Sequence, residues 1–178
     1  MAGPGFGVSH PRALKAMEIV YTPWRLPYVQ AKPTEGCVFC AAQEAPPSFD
    51  NLVVYSDEDL LIMLNRFPYT NGHMLVVPRP HVSSMTGLEE RHRCASVRAL
   101  TLCEVLLRDI FHAHGVNVGL NLGQAAGAGI IDHLHWHVLP RWIGDTNFCT
   151  VISELRVIPE DLKATYDRLA AGFAGKKL

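Results

Sequence analysis

Three histidines spaced two apart lie in residues 133–142, which read HLHWHVLPRW. Successive side chains of a β-strand point to opposite faces, so this spacing places His133, His135 and His137 on one face. Imidazole titrates near neutral pH and can act as a nucleophile, carry a proton or donate a hydrogen bond to an anion. Attack at phosphorus needs this combination, and we interpret the segment as a catalytic strand.

Two other interpretations fit the same histidines. Each imidazole can be a hydrogen-bonded residue of a polar sheet face, or all three can bind one metal ion. Residues i and i+2 of a strand lie roughly 6 to 7 Å apart, so three such imidazoles converge poorly on one ion. Their strict alternation directly after a glycine-rich loop favours the catalytic interpretation.

That loop reads NLGQAAGAG and ends at Gly129. The small residues Gly127, Ala128 and Gly129 allow backbone amides to approach phosphate oxygens closely. An ordinary flexible turn would have a similar composition. Because the loop leads into the three histidines, we predict that it binds phosphate.

A second chemical pattern is CVFC, in which Cys37 and Cys40 are separated by two residues. In a reducing compartment this spacing indicates metal binding or redox chemistry. The other three cysteines are scattered, and we expect them to be inert thiols.

The composition of the chain limits the class of protein to which these histidines and cysteines can belong. The chain has 178 residues, 48% of them hydrophobic, and 16 basic against 17 acidic residues. We therefore expect residues 19–178 to form one domain after a flexible segment 1–18, with no basic field for nucleic acid. No apolar run reaches the roughly 20 residues of a membrane span, and no secretory signal is evident, so we expect a cytoplasmic protein.

The elements that must position the histidines follow from periodicity. We predict strands at 51–57, 59–65, 73–80, 116–123 and 133–140, one long helix at 88–114 that stops at Gly115, and a closing helix after Pro159. This order predicts an α+β fold with an antiparallel sheet.

The segment HLHWHVLP resembles the His-x-His-x-His motif of the histidine triad (HIT) nucleotide hydrolases and transferases, and LNRFPYTNGHMLVVPRPH (64–81) resembles the strand-turn-strand segment of that family. The resemblance covers residues 20 to 170, and PRWIGDTNF is similar to a bacterial branch that includes diadenosine tetraphosphate phosphorylases. It implies a five-stranded antiparallel sheet with one long central helix and a C-terminal helix. It also implies a homodimer with a continuous ten-stranded sheet, whose partner subunit would contact Trp24 and Tyr28.

Site roles also follow from this resemblance. It implies that His135 attacks the α-phosphate of a nucleotide, forming a nucleotidyl-histidine, and that its other ring nitrogen donates to a backbone carbonyl. It further implies that His137 and His73 stabilise charge on the non-bridging oxygens. Asn65 matches a ribose-binding position, and Asn121 matches the asparagine that begins the phosphate loop.

The same resemblance implies that Cys37 and Cys40 bind a structural zinc ion together with His81 and His133. Two thiolates and two imidazoles suit tetrahedral Zn²⁺, and four protein ligands close the site. Free thiols are the alternative for this pair. No organic cofactor is expected.

The predicted function is cleavage at the α-phosphate of dinucleoside polyphosphates. The alternatives are an adenosine 5′-phosphoramidate hydrolase and a purine-nucleotide-binding module with little catalysis. One departure bears on this choice: many HIT hydrolases have Gln-Ser or Gln-His where this chain has Gly129 and Ile130. Assistance to the leaving group must then come from backbone amides, a water molecule or another side chain such as Gln124.

Overall fold

Five short runs of mainly aliphatic residues form one antiparallel sheet. The computed structural model describes residues 36–146 and 157–178, all within one compact unit, Thr34–Leu178. The spatial order of the strands is β1-β2-β3-β5-β4, so β5 lies between β3 and β4. In chain order they are β1 (Val53–Ser56), β2 (Leu60–Leu64), β3 (Met74–Pro78), β4 (Gly115–Leu120) and β5 (Trp136–Arg141).

Three α-helices accompany the sheet in the described residues, and they are α1 (Val38–Gln43), α2 (Glu90–Phe111) and α3 (Leu162–Phe173). The carboxylate of Asp161 caps α3 by accepting the backbone N–H of Ala164 at 2.9 Å. The long helix and the C-terminal helix confirm the predicted α+β architecture.

The predicted end of the long helix was wrong by three residues. Helix α2 ends at Phe111 because His112 adopts a left-handed conformation with φ of 52°, and its backbone N–H bonds to the carbonyl of Leu107. A left-handed residue satisfies the last helical carbonyls as a glycine would. Gly115, predicted to stop the helix, instead begins β4.

One face of the sheet packs against α2 and α3 and forms the larger hydrophobic core. Val138 of β5 is fully buried in it, and Trp136 packs against it. The apolar side of the histidine segment is therefore anchored, as predicted. Cys103 on α2 is also fully buried there, and burial raises the pKa of its thiol, which fits an inert cysteine.

The opposite face of the sheet carries a smaller core beneath α1. Phe39 and Ala42 of α1 pack with buried residues of β1, β2 and β3, namely Val53, Leu61, Leu75 and Val77. His137 pairs with Leu75 across β3 and β5, so the histidines lie on this second face. The smaller core thus ties the short segment that carries the two cysteines to the histidine side of the sheet.

The predicted strand 133–140 begins later than expected, at Trp136. The β3–β5 ladder pairs Val76 with Trp136 and goes no further, since Pro78 has no N–H to extend it. The carbonyl of Pro78 instead accepts a hydrogen bond from Nε2 of His133 at 2.8 Å. His133 and His135 therefore stand in an extended segment just before the strand.

Several expectations fall outside the described residues. The flexible segment 1–18, the domain boundary at residue 19 and the positions of Trp24 and Tyr28 belong to this group. Within residues 36–146 and 157–178, no helix combines the length and the hydropathy that a membrane span requires.

Candidate active site and metal centre

The three histidines form a row of ring contacts on the α1 side of the sheet. The ring of Phe39 lies 5.4 Å from that of His133 and 4.8 Å from that of His135. The rings of His135 and His137 are 5.0 Å apart. All three imidazoles are more than nine-tenths buried, so each has a defined neighbourhood.

His135 has a fixed tautomer. Its Nδ1 donates a hydrogen bond to the backbone carbonyl of His133 at 2.9 Å, the contact predicted for this residue. A carbonyl oxygen can only accept, so the proton lies on Nδ1 and the lone pair on Nε2. Burial lowers the pKa of His135, opposed by the hydrogen bond to His133. The neutral ring therefore presents an unprotonated nitrogen at neutral pH.

A chain of hydrogen bonds fixes the tautomer of His137. The backbone N–H of Tyr69 donates to Nδ1 of His73 at 3.1 Å, which places the proton of His73 on Nε2. That Nε2–H donates to Nδ1 of His137 at 3.0 Å. The proton of His137 consequently lies on Nε2, where it can be donated to an oxyanion.

Burial keeps both rings of this chain neutral. It lowers the pKa of His73 to about 3 and that of His137 to about 4, and the neighbouring imidazoles contribute to both shifts. His73 is completely buried. In this arrangement the N–H of His73 is donated to Nδ1 of His137, and the N–H of His137 lies on its other ring nitrogen.

Asn65 lies beside His73. Its side-chain nitrogen is 3.3 Å from Nδ1 of His73, and its oxygen accepts the backbone N–H of Phe67 at 2.9 Å. The amide group of Asn65 is half-buried at the edge of the histidine row. These contacts hold the predicted ribose-binding side chain in a fixed orientation.

The predicted phosphate loop follows β4 and contains a short 3₁₀ turn, Gln124–Ala126. The backbone N–H of Gly127 donates to Gln124 at 3.0 Å, and that of Ala128 to Gly123 at 3.4 Å. Two of the three predicted phosphate-binding amides are thus engaged within the loop. For these two amides to bind a phosphate, their hydrogen bonds within the loop must be replaced by hydrogen bonds to phosphate oxygens.

On the β4 side, the strand neighbour of His137 carries no side chain. Gly119 of β4 pairs directly with His137, and a Cβ atom at this position would meet nothing within 4 Å. The sheet surface beside His137 is therefore open on the β4 side.

The four predicted metal ligands converge. One ligand atom from each of Cys37, Cys40, His81 and His133 lies within 4.8 Å of all the others. Nδ1 of His133 is 3.4 Å from Sγ of Cys37 and 3.6 Å from Sγ of Cys40, which in turn is 3.2 Å from Nδ1 of His81. Tetrahedral zinc with bonds of about 2.0 to 2.3 Å separates its ligand atoms by roughly 3.3 to 3.8 Å.

The donor chemistry also fits zinc. Because Nε2–H of His133 donates to the carbonyl of Pro78, its Nδ1 is the unprotonated atom that faces the sulfurs. Burial lowers the pKa of His133, which keeps the ligand neutral. Burial and the adjacent Cys37 raise the pKa of the Cys40 thiol, so a nearby cation is needed to hold Cys40 as a thiolate.

Two residues at the site were missed by the sequence analysis. Phe39 is the residue between the cysteines that covers His133 and His135, and Tyr69 covers His73 and His137. The Cys-x-x-Cys spacing predicts a role for the two cysteines, but it does not predict one for the aromatic residue between them. Tyr69 lies in a loop, and no local pattern indicated its contact with β5.

Known proteins match this chain in sequence and in structure. The family model described as "HIT domain" matches residues 47–142. A Mycobacterium tuberculosis protein named AP-4-A phosphorylase is 36% identical over 168 residues, which cover 89% of this chain and 85% of that protein. Among solved structures, a zinc-bound histidine triad family protein from Mycobacterium smegmatis has a TM-score of 0.62 and 31% identity, covering 78% of this chain and 93% of its own. A hypothetical histidine triad nucleotide-binding protein from Sulfolobus tokodaii has a TM-score of 0.59 and 28% identity, covering 76% and 88%.

Proposed function

The chain belongs to the histidine triad (HIT) family, and we propose that it is a nucleotide hydrolase or phosphorylase acting on dinucleoside polyphosphates such as diadenosine tetraphosphate. The observation that carries this proposal is the tautomer of His135, whose Nδ1–H is bound to the carbonyl of His133 and whose Nε2 is left with a lone pair. The relative named AP-4-A phosphorylase supports the substrate class.

In the proposed first step, Nε2 of His135 attacks the α-phosphorus of one nucleoside. A P–N bond forms, the bond from that phosphorus to the bridging oxygen breaks, and the remaining nucleotide leaves with the electron pair. The Nε2–H of His137 donates to a non-bridging oxygen as negative charge builds on it. His73 acts through His137, because it is fully buried behind that ring.

In the second step an acceptor attacks the nucleotidyl-histidine and restores the free imidazole. Water as acceptor gives a nucleoside monophosphate, and inorganic phosphate gives a nucleoside diphosphate. With diadenosine tetraphosphate the first step releases ATP, so the two acceptors produce AMP with ATP or ADP with ATP. The ribose is proposed to contact Asn65, and the phosphates to contact Asn121 and the amides of residues 127–129.

We further propose that Cys37, Cys40, His81 and His133 hold a structural zinc ion, which would supply a closed tetrahedral crosslink. The convergence of the four side chains supports this proposal. The residues themselves join the start of α1 to the segment that carries His135.

A homodimer is proposed to form along β4. This strand is an edge of the sheet, and Val118 on it is 48% exposed. On α2, Val97 and Val105 are also exposed. A partner's β4 paired with this edge would extend the sheet to ten strands. Sedimentation equilibrium should then give twice the chain mass, whereas a monomer at micromolar concentration would contradict the dimer.

The function is tested by incubating the purified protein with diadenosine tetraphosphate, with and without inorganic phosphate, and resolving AMP, ADP and ATP. ADP that appears only with phosphate identifies a phosphorylase, and AMP in both reactions identifies a hydrolase. Faster release of amine from an adenosine 5′-phosphoramidate would identify the phosphoramidase alternative. Tight AMP binding without turnover of any of these substrates would support the binding-module alternative and contradict the proposal.

A further inference from the structure

The ring of Tyr69 lies over His73 and His137, the two imidazoles that are joined by a hydrogen bond. Its ring centroid is 4.6 Å from that of His73, with the planes tilted by 46°. It is 5.8 Å from the ring of His137, and these planes are nearly parallel at 18°. The side chain is nevertheless 46% exposed. The ring therefore separates His73 and His137 from solvent on that side.

The backbone and the ring of Tyr69 act on His137 by separate routes. The backbone N–H fixes the tautomer of His73 and, through it, that of His137. The ring contacts His137 directly, so it restricts rotation of the imidazole about its Cβ–Cγ bond. A side-chain substitution removes the second route and leaves the first in place, which makes the ring's contribution measurable.

We propose that Tyr69 is a positioning residue whose aromatic ring holds the His137 imidazole in the orientation that directs Nε2–H at the phosphate and excludes water from its outer side. This role rests on the proposed function, in which His137 stabilises charge on a non-bridging oxygen. The ring acts as a flat apolar surface, and the hydroxyl group is not required for it.

The surroundings of His137 support a role in water exclusion. The titratable groups in ring contact with His137 are His73, His135 and Tyr69. The strand residues paired with it, Leu75 and Gly119, carry no charge. Burial is the largest cause of the lowered pKa of His137, and the Tyr69 ring is part of what buries it. Removing the ring should therefore raise this pKa towards its ordinary value.

The test compares Tyr69→Ala, Tyr69→Phe and Tyr69→Leu in the full-length protein. Phe49→Ala is the matched control, since Phe49 is also partly exposed and makes one aromatic contact, with Tyr166, away from the site. We expect Tyr69→Ala to lower kcat about tenfold, the scale of one aromatic contact, with KM changed less than about twofold. Tyr69→Phe should restore kcat, and Tyr69→Leu should remain impaired.

An NMR titration of the imidazole protons gives a readout that does not depend on turnover. With the His137 signal assigned by its loss in His137→Asn, Tyr69→Ala should raise the pKa of His137, while Tyr69→Phe and Phe49→Ala should not. An unchanged His137 titration in Tyr69→Ala, or in Tyr69→Leu if the alanine variant does not fold, overturns the inference. Equal impairment of Tyr69→Phe and Tyr69→Ala also overturns it, because the hydroxyl would then be the essential group. If wild-type protein turns over no dinucleoside polyphosphate, the proposed function fails and the titration still decides the role of Tyr69.

Discussion

The backbone carbonyl of His133 accepts the Nδ1–H of His135 at 2.9 Å, so a residue of the Cys/His cluster orients the proposed nucleophile. The same His133 directs Nδ1 at the two cysteine sulfurs and donates from Nε2 to Pro78. Its side chain and its backbone are thus both engaged. Any change at the cluster that moves His133 should therefore alter the orientation of the His135 imidazole.

The first prediction concerns metal content. Protein prepared without chelator should contain about one zinc ion per chain, and Cys37→Ser should lower both the zinc content and the melting temperature, the latter by about 5 °C or more, equivalent to about 2 kcal/mol. Cys94→Ser is the control, because Cys94 is exposed on α2 outside the cluster. Elemental analysis and calorimetry provide the measurement. Metal-free protein with an unchanged melting temperature would refute the zinc site.

The second prediction concerns His73. His73→Ala leaves Nδ1 of His137 without its donor, so the tautomer of His137 is no longer fixed. We expect kcat to fall about a hundredfold while KM changes little, since His73 is too deeply buried to contact the substrate. Steady-state kinetics check this against His112→Ala, whose imidazole is exposed at the end of α2. A variant changed mainly in KM would show that His73 binds substrate directly.

A third prediction follows from the two lowered pKa values. His73 and His137 have pKa values of about 3 and 4 in the folded protein, below the ordinary value of about 6.5. Between these values the unfolded chain binds more protons, so the free energy of unfolding should decrease as the pH falls from about 6.5 towards 4. Urea unfolding at pH 7 and pH 5 measures the change. His137→Asn should lose less stability over this interval than the wild type, and equal losses would argue against the shifts.

The C-terminal helix is joined to the loop that precedes β3 by a hydrogen-bond network around Glu160, in which Thr165 also donates to the side-chain oxygen of Asn71 at 3.0 Å. Glu160 accepts hydrogen bonds from Asn71 at 3.1 Å, Thr165 at 2.7 Å and Arg168 at 2.8 Å. A fourth prediction is that Glu160→Gln lowers the free energy of unfolding by about 1 to 2 kcal/mol, since three charge-assisted bonds are weakened. Glu104→Gln, which alters an exposed pair with Arg108, should cost less than about 0.5 kcal/mol. Equal costs in urea unfolding would show that the Glu160 contacts contribute no more than a surface ion pair.

Much of the sheet and of the Cys/His cluster could be predicted because their signals are local or carried by family motifs. The spacing of Cys37 and Cys40 and the two motif histidines predicted four side chains that do converge. The late start of β5 was missed, since it depends on the missing N–H of Pro78, a residue on the neighbouring strand. The end of α2 was missed because His112 adopts a conformation usually left to glycine.

The part of the site that escaped prediction consists of contacts between distant segments. Tyr69 reaches β5 from a loop, and its contact with His137 depends on how that loop folds over the sheet. Phe39 reaches the histidines from α1 on the second face of the sheet. The sequence pattern predicted one buried sheet face. The smaller core beneath α1 was not predicted, because it forms between residues of α1 and of three strands that are distant in sequence.

The central claim, that His135 carries the nucleotidyl group, is tested most directly by trapping the intermediate. Wild-type protein is mixed with diadenosine tetraphosphate, quenched in alkaline denaturant to preserve the P–N bond, and analysed by intact and peptide mass spectrometry. His135→Asn retains a side-chain N–H that can reach the His133 carbonyl but lacks Nε2, and His112→Asn is the matched control. We predict an adenylyl adduct on His135 in the wild type and in His112→Asn, formed at least as fast as turnover, and none in His135→Asn. Turnover without an adduct, or an adduct on another residue, would contradict the account.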